Sequence, residues 1–146
     1  MTQSKFITLA DLIAQAESSC NQYALRFEKA YIPQDQNIET MSIINKCSKI
    51  TAEILCKMSF GLFQIMGNNL ISLGLSSNVF VYCNSIAAQE QMFSRYCIRN
   101  NCEYTLDDVI NDESKRLDFA RKYNGPGNVE AYAQRIIDIY SKGNNQ

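Results

Sequence analysis

An uncharged stretch of ten residues, MSFGLFQIMG at positions 58–67, constrains the fold of this chain more than any other segment. Its only polar side chains are those of Ser59 and Gln64. Read as leading into a helix over residues 62–73, the stretch places apolar side chains on one face and Gln64 roughly opposite them. Such a helix lies deep in a protein, and a buried amide must find hydrogen-bond partners. Those partners are either protein groups or a polar ligand in a cleft.

The length and composition of the chain predict one globular domain covering residues 1–146. Of the 146 residues, 46% are hydrophobic and 20% are charged, and the net charge is −1. A chain of this length buries a sizeable core. The charges show no basic concentration of the kind that binds nucleic acid or anionic lipid. No apolar run approaches the roughly 20 residues that span a bilayer. We therefore expect no nucleic-acid partner and no stable membrane anchoring.

The cysteine and histidine content restricts the metal sites and catalytic mechanisms that the chain can have. The chain has six cysteines, none in a CxxC pair, and it has no histidine. This argues against a zinc site, and it excludes Cys-His and Ser-His-Asp mechanisms because both need an imidazole. Cysteines at helical positions are typical small buried hydrophobes. We expect neither a metal nor an organic cofactor.

Helical signals dominate the rest of the chain. Only two prolines and six glycines interrupt it, and Thr8 with Asp11 and Thr105 with Asp108 have the spacing of capping boxes. Asn84 or Ser85 is placed to cap another helix. The predicted fold is mainly α, with about seven helices and room for a small β-element near 21–36. Further helices are predicted over about 40–57, 106–111 and 113–122, followed by one that Asn128 caps and Gly143 ends. The helix over about 40–57 is predicted from apolar residues at helical spacing: Ile43, Cys47, Ile50, Ile54 and Met58. The last helix has an inward face formed by Val129, Tyr132, Ala133, Ile136 and Tyr140.

Two carboxylates stand close together in the first third of the chain. Leu9, Leu12, Ile13, Ala16 and Cys20 form one apolar stripe of the first helix, with Glu17 at its edge. Partial desolvation there raises the pKa of a carboxyl group, so that Glu17 is predicted to hold a proton near neutral pH. The plain alternative is a surface glutamate. Glu28 follows soon after, and its plain interpretation is an ion pair with Arg26 or Lys29.

Three short motifs occur in a particular order. They are Glu17-Ser18, then Ser59-x-Gly61-Leu62-x-Gln64, then Tyr123-Asn124-Gly125 with Tyr132 in the following helix. This order resembles the lysozyme-like lytic transglycosylases of the SLT type, over about residues 9–140. Arg26-Phe27-Glu28 resembles a phage-associated branch of that family. GLFQIMG and YNGPG are also similar to the phage-type N-acetylmuramidase domain. The chain departs from the pattern in the longer gap between Glu17 and Gly61, and in Lys122 where the family has alanine.

The resemblance implies a lysozyme-like fold and a peptidoglycan-cleaving activity. By the same resemblance, Glu17 would protonate the glycosidic oxygen between N-acetylmuramic acid (MurNAc) and N-acetylglucosamine (GlcNAc). Ser59 and Gln64 would line the cleft and bind the sugar. The substrate-binding set would be completed by Tyr123 and Asn124, which would orient Glu17 and the N-acetyl group, together with Tyr132 and Glu28.

The second chemical step separates two enzyme hypotheses. In a lytic transglycosylase Glu17 also acts as the base, and a 1,6-anhydroMurNAc end forms without water. In a hydrolysing muramidase a second carboxylate, for which Glu28 is the candidate, acts as base or nucleophile. Two non-enzymatic alternatives remain at this stage: an inactive lysozyme-like wall-binding or virion module, and a plain helical interaction domain with an accidental motif match.

The place where the protein acts is predicted from its N-terminal sequence and from the location of peptidoglycan. The first residues, MTQSKFITLADLIAQAE, meet acidic residues too early for a secretory signal. We therefore expect a phage endolysin, synthesised in the host cytoplasm. It would act on peptidoglycan in the periplasm after release through a holin pore or as part of the virion. The expected partners are peptidoglycan glycan strands, and the expected oligomeric state is a monomer.

Overall fold

The structure is a computed structural model, and it describes residues 6–145. Within that range the chain is mainly helical with one small three-stranded sheet, as predicted. It groups into two compact units: residues 6–20 with 94–145, and residues 21–93. In chain order the elements are α1 (Leu9–Ser18), β1 (Leu25–Phe27), α2 (Asp35–Asn45), α3 (Lys49–Cys56), β2 (Met58–Phe60), β3 (Ile65–Met66), α4 (Gly67–Ser72), α5 (Val79–Cys83), α6 (Ile86–Arg99), α7 (Leu106–Asn111), α8 (Glu113–Asn124), a 3-10 turn (Pro126–Asn128) and α9 (Val129–Asn144).

The first unit begins with the predicted capping box of α1. The Thr8 hydroxyl accepts a hydrogen bond from the backbone N–H of Asp11, and the Asp11 carboxylate accepts one from the backbone N–H of Thr8. The predicted apolar stripe is buried except at its end. Cys20 is exposed, because Ser19 and Cys20 adopt left-handed conformations that end the helix before Cys20. The prediction that Cys20 belongs to the stripe is therefore wrong.

The C-terminal helices of the first unit follow the sequence prediction closely. α7 covers the predicted range and begins with the Thr105–Asp108 capping box. α9 buries four of the five predicted residues: Val129, Tyr132, Ala133 and Ile136. Asn128 occupies the N-cap position, but its side chain makes no capping hydrogen bond there. Gly143 does not end α9, which continues to Asn144; a Cβ on Gly143 would meet the ring of Phe6.

The helix predicted for residues 62–73 is wrong. The chain instead forms β2, a turn, β3 and the short helix α4. Gly61 and Gln64 both have positive φ, at 77° and 50°, and this reverses the chain within four residues. A short apolar run does not distinguish a helix from a buried hairpin by its period.

The sheet completes the β-element that was predicted near 21–36. Its order is β1-β2-β3 and both pairings are antiparallel. Ser59 lies at the centre of the register, opposite Arg26 on one side and Met66 on the other. The pairing of β1 with β2 therefore links the uncharged stretch directly to the segment that carries Glu28.

The single helix predicted over about 40–57 is two helices. α2 ends at Asn45 because the next residue, Lys46, has a φ of 51°. Ser48 then caps α3 through the backbone N–H of Thr51. The interruption changes the helical phase, so the predicted inward residues Ile43 and Ile50 are 70% and 76% exposed. The apolar side chains that these two helices bury are Met41, Ala52 and Cys56. No helix within residues 6–145 has the length and apolar character needed to cross a membrane.

Candidate active site

Glu17 lies at the penultimate position of α1, in the first unit. Its carboxylate is half-buried, and Oε1 accepts a hydrogen bond of 2.7 Å from the hydroxyl of Tyr132. Tyr132 lies in the first turn of α9 and is 7% exposed. Burial first, and then the charge of Glu17, raise the pKa of Tyr132 well above its usual value. Tyr132 is therefore a permanent donor to Glu17 at neutral pH, whereas the proton predicted on Glu17 stays a prediction.

A second group from α9 reaches the same end of α1. The guanidinium of Arg135, one turn after Tyr132, donates a hydrogen bond to the backbone carbonyl of Ala16. The carbonyls at a helix C-terminus carry partial negative charge, so a cation is favourable there. Two residues of α9 thus contact the end of α1: the neutral hydroxyl of Tyr132 donates to Glu17, and the positively charged Arg135 donates to the carbonyl of Ala16. Sequence reasoning missed Arg135; the available signal was a basic residue three positions after Tyr132 on the predicted helix.

Tyr123 belongs to an aromatic cluster beside Tyr132. Its ring stacks on Phe119, with centroids 5.2 Å apart, and on Tyr132, with centroids 6.4 Å apart. Tyr96 meets it edge-on and donates a hydrogen bond from its hydroxyl to the Tyr123 carbonyl. Burial, followed by the neighbouring Tyr132 and Glu17, raises the pKa of Tyr123 well above its usual value. Tyr123 is thus a core aromatic that packs against the residue holding Glu17.

Asn124 is placed differently from Tyr123 although it is the next residue. It is the last residue of α8 and is exposed, immediately before the glycine-proline-glycine segment. The Tyr-Asn-Gly motif therefore combines one buried aromatic with one accessible amide.

In the second unit, Ser59 and Gln64 contact each other across the hairpin. The Ser59 hydroxyl is buried and donates to Oε1 of Gln64 at 2.8 Å. The Gln64 amide nitrogen donates to the carbonyls of Gly61 at 2.9 Å and Ala24 at 3.1 Å. The Gln64 amide was predicted to bond either to protein groups or to a polar ligand, and in the structure its partners are protein groups. Gln64 nevertheless stays partly exposed.

Glu28 forms the ion pair that its plain interpretation predicted. Its Oε1 lies 2.6 Å from Nε of Arg26, and both side chains are substantially exposed. Its backbone N–H donates to the Lys57 carbonyl at 2.9 Å, just past the end of the β1–β2 ladder. Within residues 6–145, no three His, Cys, Asp or Glu side chains are grouped so that they could hold a metal ion.

A helical fold with a small antiparallel sheet, and a tyrosine-held glutamate at the end of the first helix, is the arrangement expected of a lysozyme-like glycosidase. Comparison with known proteins identifies the family. The model of the Muramidase family, described as N-acetylmuramidase, matches residues 39–144. The endolysin of Enterobacteria phage PRD1 is 35% identical over an alignment of 140 positions, and this alignment covers 89% of this chain and 92% of that protein. No solved structure matches significantly.

This chain therefore belongs to the N-acetylmuramidase family and is a peptidoglycan-degrading enzyme of the phage endolysin kind. The predicted similarity to the phage-type N-acetylmuramidase domain is confirmed. The matched range includes the hairpin and the Tyr-Asn-Gly motif, whereas Glu17 and Glu28 lie before it. The roles of individual residues stay predictions.

Proposed function

We propose that the protein is a lytic transglycosylase that cleaves the β-1,4 bond between MurNAc and GlcNAc, with Glu17 as its general acid and base. The observation that carries this proposal is the 2.7 Å hydrogen bond from Tyr132 to Glu17 at the end of α1. The hydrogen bond from a neutral donor fixes the carboxyl group in position, and it stabilises the carboxylate that forms when a general acid transfers its proton. Family membership supplies the substrate class.

The proposed reaction uses one carboxyl group twice. Protonated Glu17 gives its proton to the glycosidic oxygen as the bond from that oxygen to C1 of MurNAc breaks. The resulting carboxylate takes the proton of the MurNAc C6 hydroxyl, whose oxygen bonds to C1 and closes the 1,6-anhydro ring.

For the substrate-binding residues, the contacts support distinct proposed roles. Gln64 is partly exposed and would bind the sugar, while buried Ser59 would hold its amide in position. Exposed Asn124 would bind the N-acetyl group. Tyr123 would act through its packing on Tyr132.

The hydrolysing muramidase is the second candidate, and the description of the matched family favours it. It needs a second carboxylate that carries a negative charge. Glu28, paired with Arg26, is the candidate. In this reading water attacks C1, and the product has an ordinary reducing end.

The range of the family match supports a single catalytic domain. Residues 39–144 include parts of both compact units. We propose that residues 1–146 form this one catalytic domain.

The decisive experiment is digestion of purified Gram-negative peptidoglycan, with mass spectrometry of the released muropeptides. Transglycosylase action gives ends one water lighter than reducing-end MurNAc. Glu17→Gln should lower the rate by roughly 10²–10⁴-fold, because it keeps the shape of the side chain but cannot transfer a proton. Glu28→Gln is the matched control and should retain activity within about twofold, because exposed ion pairs contribute little.

Other outcomes would redirect the proposal. Reducing-end products together with loss of activity in Glu28→Gln would establish the hydrolase. Full activity in Glu17→Gln would remove Glu17 from both mechanisms.

We further propose that the enzyme lyses the host from the periplasmic side, supported by its phage endolysin relative. Cells expressing the protein should lyse when the cytoplasmic membrane is permeabilised with chloroform. Cells expressing Glu17→Gln should stay turbid under the same treatment.

A further inference from the structure

Gln89 is a fully buried amide that no motif of the sequence singled out. It lies on α6, with an exposed fraction of 0%. Its Oε1 accepts a hydrogen bond from the backbone N–H of Leu62 at 2.8 Å. Its Nε2 donates to the carbonyls of Gln22 at 3.1 Å and Cys83 at 3.0 Å. A buried amide with this many backbone partners is expensive to replace, because each partner would otherwise lose its hydrogen bond.

Two of the three segments that Gln89 joins also hold Gln64. Leu62 lies in the turn between β2 and β3, and Gln22 lies just before β1. The amide of Gln64 donates to carbonyls in the same two segments, those of Gly61 and Ala24. The backbone N–H of Gly61 also donates to the Ala24 carbonyl at 2.8 Å. Gln89 thus fixes, from inside the unit, the backbone that orients Gln64.

Gly61 shows how tightly Gln89 is seated. A Cβ on Gly61 would lie far inside van der Waals contact with Oε1 of Gln89. Gly61 also has a φ of 77°, and Gln64 holds a φ of 50° without being glycine. A non-glycine residue in this conformation persists where its surroundings impose it. Gln89 therefore gives a physical reason for the glycine in the Ser-x-Gly-Leu-x-Gln motif.

We infer that Gln89 is a positioning residue for substrate binding, which acts through the Gly61–Gln64 turn. This inference rests on the proposed role of Gln64 in binding the glycan. Gln89 itself is buried and does not touch the sugar. Its loss should therefore weaken glycan binding more than it slows the chemical step, which belongs to Glu17 in the first unit.

The test measures binding without turnover. A soluble tetrasaccharide of alternating GlcNAc and MurNAc is titrated calorimetrically into the full-length Glu17→Gln protein, with and without Gln89→Met. Met has a similar length and no hydrogen-bonding amide. We expect Gln89→Met to raise the Kd about tenfold, as the loss of one or two hydrogen bonds implies. In the active enzyme the KM should rise about as much, while kcat changes by less than about threefold.

Asn37→Leu is the matched control. Asn37 is another buried amide of the second unit, but its partners are Gln34, Asn68 and Ser72. It should be destabilising without raising the Kd. A Kd for Gln89→Met within twofold of its parent, or an equal rise in Asn37→Leu, would overturn the inference.

A second variant keeps the test decisive if Gln89→Met does not fold. Gln89→Asn retains the amide but draws it back by one methylene, and we expect it to raise the Kd at least about threefold; an unchanged Kd would overturn the inference. The two failures are distinguishable. Tetrasaccharide binding that responds to Gln89, in a protein releasing no muropeptides, would reject the proposed activity alone. Normal muropeptide release with no response to Gln89 would reject the positioning role alone.

Discussion

Glu17 in the first unit and Gln64 in the second are both polar side chains held by hydrogen bonds. They differ in how far along the sequence their hydrogen-bond partners lie. The donor to Glu17 is Tyr132, 115 residues along the chain. Gln64 bonds to Ser59 and Gly61, five and three residues away, and to Ala24 in the neighbouring strand segment. The carboxylate is therefore held by helix packing, whereas the amide is held largely by its own hairpin.

This difference predicts which measured quantity a substitution in each region should change: the rate, the stability or the binding of the glycan. A group positioned by a distant helix can lose its donor while both helices stay folded, because α1 and α9 lie side by side and each buries apolar side chains. A group positioned by its own hairpin cannot lose a partner without loosening the hairpin. Substitutions around Glu17 should act mainly on rate, and those around Gln64 should act on stability as well as binding.

The largest expected effect of the remaining substitutions is that of Tyr132→Phe. It removes the hydroxyl donor and keeps the ring that stacks on Tyr123. A hydrogen bond to a charged group is worth about 1.5–3 kcal/mol, so we expect kcat/KM to fall roughly 10–100-fold. The ionised carboxylate loses its donor, which favours the protonated form. The alkaline limb of the pH–rate profile should therefore move to higher pH.

Tyr140→Phe is the control for this substitution. Tyr140 lies on the same helix, half-exposed, with its ring stacked near Phe6. It should leave the rate and the pH profile unchanged. Equal rates for Tyr132→Phe and the native protein would remove the contrast between the two regions.

A smaller effect is expected for Ser59→Ala in the hairpin. It leaves Oε1 of Gln64 without its 2.8 Å donor. We expect the free energy of unfolding to fall by about 1 kcal/mol, with weaker glycan binding and an unchanged pH profile. Urea denaturation measures the first quantity. Thr40→Ala, which removes an exposed hydroxyl bonded to the Gln36 carbonyl, should cost less than about 0.5 kcal/mol.

Sequence reasoning succeeded where local chemistry decides the structure. The capping boxes at Thr8 and Thr105 placed two helix starts correctly, because both hydrogen bonds of a box join residues three apart. The same locality let the periodicity of α9 identify its buried face. The motif order also predicted a peptidoglycan-degrading enzyme correctly, since it rests on residue identity rather than on geometry.

Sequence reasoning failed where a turn or a partner distant in sequence determines the local structure. The positive φ of Gln64 is not readable from a glutamine, so the hairpin was interpreted as helix. The left-handed Lys46 split a predicted helix for the same reason. Arg135 and Gln89 were missed because their importance lies in the backbone groups they reach, at Ala16 and Leu62, and not in any local pattern.

The smallest expected effect concerns Asp108, a carboxylate of the first unit whose partners are local and exposed. The Lys115 ammonium 2.8 Å away, with the capping bonds of Thr105, lowers the pKa of Asp108 from 3.8 to about 2. A lowered folded-state pKa stabilises the fold above the unfolded value and loses that stabilisation as pH falls. The contribution should therefore be complete above about pH 4 and disappear by about pH 2. Urea unfolding midpoints of Asp108→Asn and the native protein should accordingly differ at pH 5 and converge at pH 2, while muropeptide release at neutral pH stays the same. A loss of activity in Asp108→Asn would show that local carboxylates of this unit also affect the site, and the distinction drawn for Glu17 would fail.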